Sequence, residues 1–313
     1  MDNKPTAALS MDLDNAWSYL RTHGDKAWEA YPNYLPNVVP LVLDLLKKKG
    51  LKITFFIVGR DAAMEENRDV LEEIVSAGHE VGNHSYSHEP WLHRYPEGYI
   101  RKEVISAEES ILRCGGRKPI GFRAPGYGFS PVLGSVLASC EYEYDSSLLP
   151  TYIGPIARAY YFRKTQFSKE QKEKRQGLFG GLKNGFLPNK PYLISSASGR
   201  TIEEIPISTV PFVKTPFHLS YLLYLSRLSI KRMRFYLEAA LWMCRKADLQ
   251  PNFLLHPLDF LDLKEAPALS FFPGMNVVKE TKIEIFSAVI DRLSKDYRIR
   301  PLRSFLGMKL QEK

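Results

Sequence analysis

Cysteine is scarce: only Cys114, Cys140 and Cys244 occur in 313 residues, an odd number, far apart and without a C-x-x-C pair. That argues against a disulfide framework and fits ordinary packing residues in a reducing compartment. Long hydrophobic runs are also missing, since no stretch reaches the ~18 uninterrupted apolar residues of a membrane-spanning helix. The opening MDNKPTAALSMDLDN has an early acid and no apolar run behind a basic start, so no secretory signal is expected there. There is no internal repeat. Hydrophobic residues at 44% and charged residues at 25% match soluble globular chains, so neither extensive disorder nor a membrane-embedded protein is expected. The length suits two average domains or one large α/β barrel.

Positive charge, by contrast, is concentrated. Ten Lys and Arg against two Glu lie between residues 151 and 200, and this stretch accounts for the whole formal charge of +8. A localised basic segment points to an anionic partner at one face.

The first 150 residues alternate β-rich and helical patterns. Strands are expected at TAALSMDL, LKITFFIVG, HEVGNHS, KPIGFRAPG and EYEYDSS, and amphipathic helices at PNVVPLVLDLLKKKG, RDVLEEIVSAG and EGYIRKEVISAEESILRCGG. The rhythm breaks near 150 and returns with TIEEIPIS. Two helices broken near Ser229, the strand PNFLLHP, a helix and the strand YRIRPL follow. Alternating β and α imply parallel strands with crossover helices, as a barrel or an open sheet, and ligands gather at the strand C-termini in both. Asp12, Asp14, His84, Arg123 and Asp145 all fall at such ends.

Side chains two apart on a strand share a face, so Asp12 and Asp14 of SMDLDN point together while Leu13 packs the other way. His84 and His88 of GNHSYSHEPW are four apart and reach one point if the backbone makes a single helical turn. Two imidazoles and one carboxylate, with a second carboxylate to spare, suit a catalytic divalent metal with open positions, zinc first.

Taken in order, SMDLDN, HSYSH, FRAPGY, YEYDSS and LLHPLD resemble the five motifs of the polysaccharide deacetylases with NodB homology, a metal-dependent carbohydrate esterase family. The resemblance spans roughly residues 7–145 and 203–305. It implies one NodB-homology domain over 1–313, a distorted (β/α) barrel of about seven parallel strands, with a basic, aromatic insertion at 150–201. It implies further that Asp14, His84 and His88 hold the metal, with zinc, cobalt, manganese or nickel as candidates, and that Asp12 is the general base. Arg123 would hold and orient Asp12, His256 would be the general acid, and Asp145 would pair with His256. Backbone N–H groups at Gly126 or Tyr127 would meet the oxyanion, Leu254 or Leu255 would line the acyl pocket, and Trp91 would wall the cleft. Plainer readings exist: Arg123 as an ion-pair partner, Asp145 as a cap in DSS, and His256 as a loop histidine. His23, His79, His93 and His218 read as structural.

The D-x-D spacing departs from the family's adjacent aspartates and is similar to relatives acting on lipid-linked sugars or small amides. The expected activity is removal of an N-acetyl or other small N-acyl group from an amino sugar, lipid-phosphate- or nucleotide-linked. Alternatives are hydrolysis of non-sugar amides such as formamides or cyclic ureides, and non-catalytic glycolipid binding. The basic insertion is expected to meet phosphate or an anionic membrane surface at the cytoplasmic face, and no nucleic-acid partner is expected. Oligomeric state is left open.

Overall fold

A computed structural model describes residues 4–115, 117–156, 159, 169, 173, 181–195 and 199–307. Nearly half of the segment expected to meet phosphate or membrane therefore lies outside the described residues.

Thr6–Leu13 forms β1, followed by α1 (Ala16–His23), α2 (Leu35–Lys48), β2 (Thr54–Ile57), α3 (Gly59–Ala62), α4 (Arg68–Ser76) and β3 (Glu80–Asn83). Next come α5 (Glu97–Arg113), β4 (Gly121–Phe122), α6 (Pro131–Ser139), β5 (Tyr144–Asp145), β6 (Tyr192–Ser195) and β7 (Thr201–Glu204). The chain ends with α7 (Leu219–Ser226), α8 (Ile230–Lys246), β8 (Asn252–Leu255), α9 (Lys279–Asp296) and β9 (Arg298–Arg300). The expected helix break is a gap between α7 and α8, where the Ser229 hydroxyl caps α8 by accepting the Arg232 N–H. In α2, Val38, Val39, Val42 and Leu46 recur at helical spacing and are buried, and Lys47 and Lys48 close the negative end of the dipole.

The strands lie in the order β6-β7-β5-β4-β3-β2-β1-β8, with β9 on the N-terminal end of β1. All pairings among the described residues are parallel except β6 with β7, so eight strands run parallel where about seven were expected. Tyr192–Ser195 falls within the expected insertion, yet it is the antiparallel edge of this sheet.

Alternation along the strands sorts two cores. Ala8, Phe56, Tyr144 and Ile205 meet inside the curved sheet with Leu302 and Phe305. Ala7, Leu9, Met11, Leu13, Phe55, Ile57, Phe253 and Leu255 face outward into a larger core shared with the helices. The inner core is tight, since a Cβ on Gly121 would stand 2.0 Å from the Tyr144 ring.

Among the described residues no strand ladder closes the sheet. Beyond β7, however, Ser208 donates its N–H to the Asn252 carbonyl at 3.0 Å, and the Asn252 N–H returns to Ser208 Oγ at 2.8 Å. The Asn252 amide also reaches Ser146 Oγ and the carbonyls of Ile205 and Pro206. The barrel is thus completed at one seam by a few bonds around Asn252.

Candidate active site

β1 carries Ser10 and Asp12 on its inner face and Asp14 just past its end, all buried. β2 and β3 lie beside it in order, and β3 leads directly into His84. One carboxylate oxygen of Asp14 and one nitrogen each of His84 and His88 all lie within 4.8 Å of one another.

The two histidines are brought together by an irregular loop and not by the expected helical turn. Ser85 and His88 both have positive φ, 60° and 48°. That conformation is unfavourable for residues with a Cβ and needs support from outside. α5 supplies it: the Glu103 carboxylate accepts the N–H groups of Tyr86 and Ser87 and the Ser87 hydroxyl at 3.1, 2.8 and 2.8 Å. The start of α3 donates its Gly59 and Arg60 N–H groups to the carbonyls of Ser85 and Tyr86. α3 can lie that close to α5 because residue 59 is glycine, where a Cβ would come within 2.5 Å of Ala107. Arg21 of α1 ties the far side, donating to the Ser87 carbonyl at 2.6 Å and to Glu89 at 3.0 Å.

The donor set fits a divalent cation. His84 Nδ1 lies 2.6 Å from the Arg123 carbonyl, so that nitrogen bears the ring proton and Nε2 presents its lone pair. His84 Nε2 and His88 Nε2 stand 3.3 and 3.0 Å from Asp14 Oδ1, yet that oxygen has no well-directed hydrogen bond among the described residues. Three lone pairs thus face one point, and a bound proton or metal must compensate them. The titration behaviour agrees. Burial raises the Asp14 carboxyl, but His88 and His84 outweigh it and hold the group well below the carboxylate range. Burial lowers His84, but Asp12 and Asp14 outweigh it and raise its affinity for a proton.

Asp12, the spare carboxylate, accepts Arg123 Nη1 at 2.6 Å. Arg123 is fully buried with its other donors on Ser10 Oγ, the Ser146 carbonyl and Ser146 Oγ at 3.0, 2.8 and 2.8 Å. Its guanidinium stacks 4.2 Å from the Phe56 ring centre. The surface ion-pair reading of Arg123 does not hold.

His256 follows β8. Because Met11 pairs with Leu255, His256 stands level with Asp12 on the neighbouring strand and on the same inner face. The expected Asp145–His256 pair is absent. Tyr144 points into the barrel, so Asp145 next to it points out, beside Glu204 at the same register. Asp145 accepts the Ser147 hydroxyl at 2.6 Å. Burial pushes both carboxyls up, and the Asp145 charge pushes Glu204 further. His256 Nδ1 instead meets Ser220 Oγ at 3.0 Å, and its N–H donates to Asp259 at 2.9 Å.

Alternation also corrects the acyl-pocket assignment. Leu255 is buried in the outer core, facing away from the site. Leu254 faces inward with Leu149 and Ile207, and Tyr127 packs against that cluster. Gly126 has φ 71° and a Cβ there would press on the Pro90 carbonyl at 3.1 Å, so this turn demands glycine. Burial first, then Asp12 and Asp14, raise the Tyr127 phenol, which keeps it protonated near those carboxylates. Trp91 is half-buried three residues after His88. His93 packs onto Gly128, His23 stacks on Phe271 at 3.7 Å, His79 accepts the Ile53 N–H, and His218 caps α7. Sequence reasoning missed Glu103, Ser220 and Asp259, and of its two leucines for the acyl pocket only Leu254 faces inward. Of the three, only Asp259, in LLHPLD, lay inside a quoted motif.

Residues 24–144 match the family model described as Polysaccharide deacetylase. Over these residues the chain is similar to the polysaccharide deacetylases. The matched stretch holds His84, His88 and Arg123, while Asp12, Asp14 and His256 lie outside it. A Bacillus cereus peptidoglycan-N-acetylglucosamine deacetylase is 39% identical over 89 residues, 28% of this chain and 31% of its own length. A Helicobacter pylori peptidoglycan deacetylase is 33% identical over 153 residues, 46% of this chain and 49% of its own. The chain thus spans less than half the length of these relatives. A solved Mycobacterium smegmatis protein assigned to the polysaccharide deacetylases shares the fold, with TM-score 0.59 at 19% identity over 100% of this chain and 94% of that one.

Proposed function

We propose that this chain is a metal-dependent N-deacetylase of an N-acylated amino sugar. The convergence of Asp14, His84 and His88, with Asp12 spare beside them and paired to Arg123, carries the reading. A divalent cation, zinc first, would be held by those three side chains and would polarise the amide carbonyl and acidify a water. Asp12, fixed by Arg123, is placed to take the proton from that water. His256, level with Asp12 across the site, is placed to protonate the leaving amine, a step required because an amide anion is a poor leaving group. The Tyr127 backbone N–H beside Gly126 is the donor for the developing oxyanion, and Leu254 lines the acyl side.

The relatives named for peptidoglycan and its N-acetylglucosamine support a 2-acetamido sugar as substrate. The charge gathered at 151–200 supports a phosphate-bearing form of it, lipid- or nucleotide-linked, met at an anionic membrane surface on the cytoplasmic side. The test is acetate release by zinc- and cobalt-loaded protein from N-acetylglucosamine oligomers, from UDP-N-acetylglucosamine and from polyprenyl-phosphate-linked sugar, with Asp12→Asn as control. Asp12→Asn is expected to retain metal and lose turnover. Formate or ureide hydrolysis without acetate release would overturn the sugar assignment, and equal rates on free and phosphorylated sugars would overturn the phosphate preference.

A further inference from the structure

His256 has lost its expected carboxylate, since Asp145 faces the other side of the sheet. Two side chains from different elements grip it instead. Ser220, in the first turn of α7, meets His256 Nδ1 at 3.0 Å. Asp259 takes the His256 backbone N–H at 2.9 Å. All three are buried. We propose that Ser220 and Asp259 are the positioning residues of the general acid, Ser220 holding its ring and Asp259 its backbone from behind. This rests on the reading of His256 as the acid.

Ser220 Oγ is the hydrogen-bond partner of His256 Nδ1. Nε2 has no protein partner among the described residues. It is therefore the nitrogen that gives its proton to the amine as the C–N bond breaks, while Nδ1 stays on Ser220. Among the other groups facing this site, His218 lies 6.2 Å away ring to ring, and burial, with the His256 charge, pushes it down to about 3. It is neutral and adds no opposing charge. Lys282 of α9 reaches into the same loop, donating to the carbonyls of Leu258 and Leu261 at 2.7 and 2.6 Å, with its charge directed at Asp259.

The experiment compares Ser220→Ala, Ser220→Thr, Asp259→Asn and Asp259→Ala with the wild type, all metal-loaded. Ser220→Ala is expected to lose roughly 10- to 100-fold in kcat with KM within about twofold and metal content unchanged, the scale of losses seen when a supporting hydrogen bond is removed. Ser220→Thr, which keeps the hydroxyl, restores most of it. Asp259→Asn still accepts the His256 N–H, so kcat is expected within about twofold of wild type, whereas Asp259→Ala removes the acceptor and lowers kcat. The positioning role is overturned if Ser220→Ala or Asp259→Ala keeps its kcat. Independently of turnover, the His256 imidazole ¹⁵N signals are compared in the wild type and Ser220→Ala, with assignment by His256→Gln. A changed Nδ1 signal in the variant supports the contact and identical spectra overturn it, even if no N-acyl sugar proves to be a substrate and the deacetylase reading falls.

Discussion

Arg123 carries its charge where no solvent reaches, and that choice ties stability to chemistry. With Asp12 as its counter-ion and Ser10 and Ser146 as further acceptors, the pair is tolerable because each of the three guanidinium nitrogens donates. Arg123→Met leaves Asp12 as a lone buried carboxylate, and should cost roughly 3–5 kcal/mol in denaturant unfolding, the usual scale for breaking a buried pair from one side. Arg123→Met with Asp12→Leu removes both charges and should recover part of that loss while turnover stays absent. If the double variant is less stable than the single, the ion pair is not what the guanidinium is for. The metal cluster yields a second prediction. Because Asp12 and Asp14 raise the proton affinity of His84, a metal must displace a proton there, so affinity falls as pH drops through that raised value. Calorimetric metal titrations in buffers of different ionisation enthalpy should show net proton release that shrinks at higher pH. Release that is zero throughout would contradict the raised His84.

At the scale of single elements, the histidine loop shows what spacing alone conveys. A spacing of four residues was enough to pair the imidazoles, but the conformation that does so is set by Glu103, nineteen positions downstream of His84, and by a glycine that lets α3 touch α5. No local pattern encodes that support. The same holds for Asp145 and Leu255. Both sit in recognisable motifs, but a strand reverses its side chains at every residue, and a pattern that is right about the segment can be one residue wrong about the face. The nearness of Asp14, His84 and His88 and the inward positions of Asp12 and His256 were legible because strand ends and D-x-D alternation define them locally. The supporting partners were not, because they come from distant helices. Glu103→Ala removes three acceptor contacts from the loop and should lower metal affinity by about 10- to 100-fold, as losses of supporting partners commonly do. Glu103→Gln keeps one acceptor oxygen and should fall between. Competition with a metal-binding dye measures both, and an Ala variant with unaltered affinity would show the loop to be self-supporting.

Over the whole molecule, the alternation of strands and helices conveyed a barrel, but the way it closes could only come from the folded chain. The weak point is the seam beyond β7, where no ladder forms and Asn252 spans the gap with its backbone and amide. One of its partners, Ser146, also receives two hydrogen bonds from Arg123. Closure of the barrel and placement of Asp12 therefore share a residue, and strain at the seam should be felt at the base. Asn252→Ala takes the side-chain donor from the Pro206 carbonyl, whereas the Ile205 carbonyl keeps the Ser146 hydroxyl and Ser146 keeps Arg123. That should cost roughly 1–3 kcal/mol, the scale for one buried group left unpaired. Coupling is the sharper measurement. In a double-mutant cycle with Ser146→Ala, neighbours in one network should interact by at least ~0.5 kcal/mol, whereas independent sites add within about 0.3–0.5 kcal/mol. Amide exchange at Ser208 should accelerate in Asn252→Ala alone, since its N–H donates across the seam. Additive energies with unchanged Ser208 protection would mean that the barrel holds its site without the seam, and that the outer helices alone keep the curved sheet in shape.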